Sequence, residues 1–455
     1  MLKKNSLLTL TVTDINNLGY GVGRAPDGRV VFISDAVDGD VCEVKIIKLA
    51  RDYAVGRPLR LLTPSPYRVA PHCTVRGCGG CAYTGVDYAH ELALKRGTVE
   101  AAFRKAGVAV TVGEVMSTGQ VVGYRNKAQY PVRRGKDGEL LIGFFAPRSH
   151  RVVEAADCPL TPPLFAEILA VIRAHAERAG VEPYEEETGR GLLRHIYLRA
   201  AEDCREVLLT LVLNGTEYPD AEGLISALTS RFPTLVGILI NENRENTNVI
   251  LGREYRTLAG RDHLYDTLAG VRLKIAPAAF YQVNRAAAEL LYREAARLAA
   301  PQGDEVLLDL YCGTGSIGLS MAKEVRRLFG IEIVPEAIAC ARENAAAAGL
   351  ENATFEVGDA GRTGEILARH GVERPDIIIL DPPRAGATEA LLDTVAALSP
   401  SRLVYISCNP ATLARDVAYL MKHGFTPGEV TPVDLFPRTG HVESVVCLTR
   451  SDKAT

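Results

Sequence analysis

Val306-Leu307-Leu308-Asp309 leads through Tyr311-Cys312 into Gly313-Thr314-Gly315-Ser316-Ile317-Gly318. An apolar run, a glycine-spaced turn and a second apolar stretch read as a buried strand, a tight loop and the start of a helix. Two later strands end in equally pointed chemistry. Ile377-Ile378-Ile379-Leu380 stops at Asp381-Pro382-Pro383-Arg384, and Leu403-Val404-Tyr405-Ile406-Ser407 stops at Cys408, ahead of the turn Asn409-Pro410-Ala411-Thr412. Ligands of open α/β sheets sit at the carboxyl ends of the strands. A glycine loop, an acidic turn and a thiol therefore share one sheet edge.

Outward from that edge, the chain divides into three zones. Residues 5–62 alternate apolar and polar in short runs broken by Asn17, Gly19 to Gly23, Asp27-Gly28 and Asp38-Gly39, which predicts a small β-barrel over 1–62. Pro64, Pro66 and Pro71 mark a linker, followed by a cysteine cluster and a helix over Asp87 to Lys105. A mixed α+β zone completes 63–275, with strands expected at 126–132, 140–145, 194–199, 205–213 and 234–241. From 276 to 455 strands and helices alternate, the pattern of a doubly wound, Rossmann-like α/β domain.

Composition sets a modest frame. The 455 residues are 47% hydrophobic and 24% charged with a net charge of −3, so any nucleic-acid surface must be a local basic patch. No apolar stretch is long enough to span a membrane, and the start MLKKNSLLTLTVTD lacks the apolar core of a signal peptide. The 10 cysteines are then expected as reduced thiols or metal ligands in the cytoplasm.

The series of strand ends selects the cofactor. Asp309 precedes the glycine loop, Glu332 ends the next strand, Asp359 follows the third and Asp381 the fourth. Glu332 alone would also suit the ribose of a dinucleotide. Repeated carboxylates suit a cationic sulfonium, whereas a pyrophosphate wants neutral or positive surroundings. S-adenosylmethionine is expected over NAD. Taken singly, each acid could be a cap or a solvated strand end; Cys42, Cys204, Cys312, Cys340 and Cys447 read as small core residues, and His441 as local structure.

Several motifs then converge on one family. Ser407-Cys408-Asn409-Pro410-Ala411-Thr412-Leu413-Ala414-Arg415-Asp416 resembles the nucleophile motif of the RNA 5-methyluridine (uracil-5) methyltransferases. Asp381 to Gly386, Phe280-Tyr281-Gln282-Val283-Asn284, Gly440-His441-Val442-Glu443-Ser444-Val445 and Tyr124 to Gln129 are similar to further motifs of that family, in the same order. The resemblance spans the chain. It implies a class I methyltransferase domain, an N-terminal TRAM (OB-like) barrel, and contacts to S-adenosylmethionine from Gln282, Tyr311, Gly313, Ser316, Glu332, Asp359 and Asp381.

Uracil C5 is too poor a nucleophile to take a methyl group unaided, and a thiolate added at C6 makes it one. Cys408 stands where that thiolate is needed. The family pattern gives Glu443 the task of removing the C5 proton. A carboxylate among Val442, Val445 and Val446 would be costly without a task. A 5-methylcytosine enzyme would use a cysteine too, so the base rests on the resemblance.

Cys73-x4-Cys78-x2-Cys81, with Cys158 before Pro159, supplies four thiolates that suit tetrahedral zinc or a cubane equally. The resemblance favours [4Fe–4S] and, with it, 23S rRNA as substrate, although the first spacing is one residue shorter than the familiar form. RNA contact is expected from Arg24, Arg29, Lys45, Lys48, Arg51, Arg57 and Arg60 of the barrel. The density of Arg125, Lys127, Arg133, Arg134, Lys136, Arg148, His150 and Arg151 among Tyr124, Tyr130, Phe144 and Phe145 suggests phosphate contact with base stacking. A tRNA-directed uracil-5 enzyme and a non-catalytic RNA chaperone are the alternatives; the chaperone would have no use for Cys408, Glu443 and the cofactor loop together. An adenine or guanine amino-methyltransferase would need neither the cysteine nor Arg384 in place of an aromatic. The default oligomeric state is monomer.

Overall fold

The computed structural model describes residues 2–372 and 374–450. Its N-terminal strands form a six-stranded sheet in the order Leu7–Thr11, Val41–Leu49, Tyr53–Thr63, Val30–Ile33, Gly21–Arg24, Asp14–Ile15. Alternation puts Val31, Ile33, Cys42, Val44 and Ile46 inside. A second, seven-stranded sheet runs Glu254–Gly260, Leu235–Glu242, Val207–Leu213, Leu193–Ala200, Lys127–Arg134, Leu140–Phe145, Val152–Glu154. Helices Pro163–Arg178 and Ala221–Arg231 cover it through Phe165, Ile168, Leu169, Ile172, Leu224 and Leu228. The expected central strands are all present, each within two residues of its predicted bounds.

The third sheet positions the site. Its order is Ala353–Val357, Arg327–Glu332, Val306–Leu310, Ile377–Leu380, Arg402–Ser407, Glu443–Arg450, Phe425–Val433. The first five strands are parallel, and Glu443–Arg450 inserts antiparallel beside Arg402–Ser407. Strands buried on both faces need apolar residues at every position. Leu307, Ile377, Ile379, Val404 and Ile406 face one helical layer, while Leu308, Ile378, Leu380, Leu403 and Tyr405 face the other. Each such side chain contributes roughly 1.5–3 kcal/mol by leaving water.

Two elements before residue 276 also join this third sheet. Helix Tyr88–Lys105, capped by the Asp87 carboxylate, buries Val99 and Phe103 in the core of the third sheet. The hairpin of Leu264–Leu268 and Val271–Ile275 joins the core on the opposite face of that sheet. No helix among the described residues is long and apolar enough to cross a membrane.

Candidate active site

Register brings the two candidate catalytic side chains together. Ser407 pairs with Ser444 across the antiparallel strands, so Cys408, one residue beyond, faces Glu443, one residue before. On its other side Glu443 is paired with Val433. The Cys408 turn is fixed by its own polar residues. Asn409 caps helix Pro410–Lys422 by accepting from the Ala411 N–H at 3.1 Å, and its Nδ2 donates to the Arg384 carbonyl at 3.0 Å. That bond ties the thiol turn to the Asp381–Arg384 turn.

The electrostatics are those of a crowded, acidic pocket. Burial, reinforced by Asp381 and opposed by Arg384, pushes the Glu443 carboxyl up to about 8. Burial alone pushes Asp381 up to about 7. Asp309 is also raised to about 7 by burial, and further by Asp381 and Glu332, against a Gly318 N–H that donates to its Oδ2 at 2.9 Å. The Cys408 thiol is raised by burial first and by Glu443, while Arg384 works to lower it. Burial thus brings three carboxyls of one pocket up into the neutral range.

The glycine loop is shaped as a cradle. Gly313 and Gly315 are left-handed, with φ of 54° and 81°, and an added Cβ at Gly313 would meet open space. At Gly318 a Cβ would come within 2.8 Å of Asp309 Oδ2, so only glycine lets the helix sit on that carboxylate. Glu332 accepts from the N–H groups of Gly313 at 3.2 Å and Val334 at 3.0 Å, which locks the second strand end onto the loop. Asp309 Oδ1 is buried and unpartnered. Tyr311 and Ser316 are half-buried, Asp359 is exposed, and Gln282 is buried with its carbonyl accepting from Asn126 Nδ2 at 2.9 Å. The orphaned Asp309 oxygen, the acidic donor set and the open face of Gly313 fit a cationic, hydroxyl-bearing cofactor.

Sequence reading missed residues that build this pocket from below. Tyr292 and Ser316 share a hydroxyl hydrogen bond at 2.8 Å, and the Tyr292 phenol is raised by burial and by Asp381, Asp309 and Glu443. Its place on the apolar face of helix Arg285–Ala299 gives it the look of plain core. Arg199, fully buried, donates to the carbonyls of Ala276 at 2.6 Å and Ala279 at 2.7 Å, pinning the loop before Gln282.

The RNA-stacking expectation needs correction. Tyr124 is 5% exposed and Tyr130 is 0% exposed, so neither ring can stack on a base. Their hydroxyls donate to the Pro437 carbonyl and to Thr161 Oγ1, respectively. Phe144 and Phe145 remain half-buried, with Arg133 over the Phe145 ring, though Arg133 and His150 both pair with Glu186.

The cysteine cluster is gathered but loose. Among the described residues no group of three or more His, Cys, Asp or Glu is close enough to hold a metal ion, so the expected ligand set is not met as a closed site. Cys73, Cys78, Cys81 and Cys158 are all half-buried free thiols. Burial, then Cys158, Cys78 and Cys73 in turn, pushes the Cys81 thiol up to about 12. Of the five cysteines read as core, Cys42, Cys312 and Cys447 are buried, and Cys204 and Cys340 are partly exposed.

A five-strand parallel sheet with an antiparallel inserted strand, and a glycine loop and acids at its strand ends, is the fold of a class I methyltransferase. Residues 267–451 match the model of the tRNA (uracil-5-)-methyltransferase family, and residues 2–59 match the TRAM domain. An RNA methyltransferase of Clostridium tetani is 37% identical over 98% of this chain and 97% of its own. One of Halalkalibacterium halodurans is 38% identical over the same shares, 98% and 97%. The structure of the Pyrococcus abyssi tRNA (uracil-54, C5)-methyltransferase, in complex with S-adenosyl-L-homocysteine, superposes with a TM-score of 0.79 at 25% identity, covering 97% of this chain and 100% of that one. The chain belongs to the RNA uracil-5 methyltransferase family and is an RNA methyltransferase.

Proposed function

We propose that this enzyme methylates C5 of a uridine in RNA, with Cys408 as nucleophile and Glu443 as base. The observation that carries the reading is the register that sets Cys408 opposite Glu443 beside the acidic cradle. Gln282, Tyr311, Gly313, Ser316, Glu332, Asp359 and Asp381 would hold S-adenosylmethionine, which supplies the methyl group when bound. The Cys408 sulfur forms a bond to C6, and the ring electrons move to C5 and the O4 side. C5 takes the methyl group, and the bond that held it to the donor's sulfur breaks with its electron pair left on that sulfur, so that S-adenosylhomocysteine departs. Glu443 then accepts the C5 proton, the C5–H electron pair re-forms the C5–C6 double bond, and the C6–S bond breaks to release thiolate. Asp381 sits where it can balance a positive charge or hold a polar edge of uracil. Arg384 opposes the burial cost of both Cys408 and Glu443 and so favours their charged forms.

The four gathered cysteines support a [4Fe–4S] group, and the family members with such a group support 23S rRNA as substrate. The likeness to the Pyrococcus enzyme supports the second reading, a tRNA substrate. Mass spectrometry of nucleosides from rRNA and tRNA of a strain lacking the gene separates them. Loss of 5-methyluridine from rRNA alone is the expected result; loss from tRNA alone favours the second reading, and loss from neither sinks both.

A further inference from the structure

Glu443 opens its strand at the end of a connection, residues 434–442, that starts opposite it at Val433. Connections of this length are ordinarily the mobile parts of a sheet. Here four successive carbonyls are held from four different directions. Leu435 accepts from Asn284 Nδ2 at 3.1 Å and Phe436 from Lys95 Nζ at 3.1 Å. Pro437 accepts from the Tyr124 hydroxyl at 2.8 Å. Arg438 accepts from the N–H groups of Ala82 at 2.8 Å and Tyr83 at 3.1 Å, immediately after Cys81. Arg438 itself is held left-handed, with φ of 70°, a conformation that persists only when its surroundings impose it.

Lys95 is the centre of this arrangement. It is 1% exposed, and its three ammonium donors meet three acceptors: Glu91 Oε1 at 2.8 Å, Asp434 Oδ1 at 2.7 Å and the Phe436 carbonyl. Glu91 passes the constraint on by accepting the Arg438 N–H at 2.7 Å, and Asp434 Oδ2 accepts from the Tyr88 hydroxyl at 2.8 Å. A buried ion network is a weak source of net stability, but it admits few alternative arrangements. At the tip, a Cβ on Gly440 would overlap the Asn17 carbonyl of the barrel. The barrel, the cysteine loop and the central domain all abut this one connection.

We propose that Lys95 and Tyr124 are positioning residues that fix the 434–442 connection, so that the Glu443 carboxylate meets its proton beside Cys408. This rests on Glu443 being the base. The step affected is proton removal and release of the enzyme, not addition of the thiolate, because Cys408 is held separately by the Asn409 cap and the Arg384 carbonyl.

Single-turnover assays on the full chain, with substrate RNA and labelled S-adenosylmethionine, separate formation of the methylated protein–RNA adduct from its decay. Tyr124→Phe keeps the ring and removes one donor, and should slow decay roughly three- to tenfold with formation unchanged. Lys95→Met should slow decay by about 10²-fold, the scale of an ångström of misplacement. Glu443→Gln, run in parallel, should trap the adduct most fully. If Glu443→Gln traps adduct while Tyr124→Phe slows both steps alike or neither, the positioning role is wrong and the base stands. If Glu443→Gln traps nothing, the base assignment fails and the inference falls with it. Should Lys95→Met not fold, Tyr124→Phe decides alone.

Discussion

Cys408 and Cys81 are both thiols whose protons are held by burial, yet their surroundings differ in kind. Around Cys81 the other influences are mostly thiols, Cys158, Cys78 and Cys73, each raising it further, with Arg125 opposing. Around Cys408 they are Glu443 and Asp381 on one side and Arg384 on the other. On the proposed reading, the first environment suits a group that binds several sulfurs at once. The second, on the same reading, suits a bond from one sulfur to one carbon, with Glu443 and Arg384 beside it.

Substitutions can break this comparison. The largest effect is expected at Cys408→Ala, which should abolish methyl transfer while leaving iron content and cofactor affinity as in the wild type; retained turnover would remove its special standing. Glu443→Gln should follow, slowing turnover by roughly 10²–10⁴-fold, the range for a positioned base. Cys81→Ser should do the reverse of Cys408→Ala. Protein purified without oxygen should lose its iron and brown colour, whereas stoichiometric zinc in the wild type would overturn the cluster.

A smaller effect sharpens the contrast through pH. Asp309 and Asp381 are raised from 3.8 to about 7, and Glu443 from 4.5 to about 8. Between their unfolded and folded values the native chain binds more protons than the unfolded one, so these groups lower stability as pH rises through that window. Each contributes a slope of at most ~1.4 kcal/mol per pH unit. Asp381→Asn should therefore melt higher than wild type at pH 8 and near it at pH 4. A cation is favoured by the ionised acids, so affinity for S-adenosylmethionine should rise from pH 6 to 8.5 with release of protons, measurable by calorimetry in buffers of different ionisation heat. Affinity that falls over that range would contradict an acidic cradle built for a sulfonium.

What could be read in advance follows from where local pattern decides structure. The strands ending at Asp309, Asp381 and Cys408 are continuous apolar runs, and their identity and polarity were legible. The meeting of Cys408 with Glu443 was legible only through family likeness, because antiparallel register is set by tertiary pairing. Tyr124 and Tyr130 misled because interleaved arginines look the same whether an aromatic faces water or core. Helix Tyr88–Lys105 gave its bounds through the Asp87 cap and Lys105, but not its destination against the third sheet. The 434–442 connection was opaque for the same reason. Its conformation is written in Lys95, Tyr124 and Ala82, far away in sequence.

RNA carrying 5-fluorouridine at the target position tests the covalent route most directly. Fluorine at C5 leaves no proton for Glu443 to remove, so addition and methyl transfer should halt at a stable protein–RNA adduct. Peptide mass spectrometry of the wild-type protein should locate that bond on Cys408, with the methyl group on the attached ring, and Cys408→Ala should give none. An adduct on another residue, or an undiminished one in Cys408→Ala, would contradict Cys408 as the nucleophile.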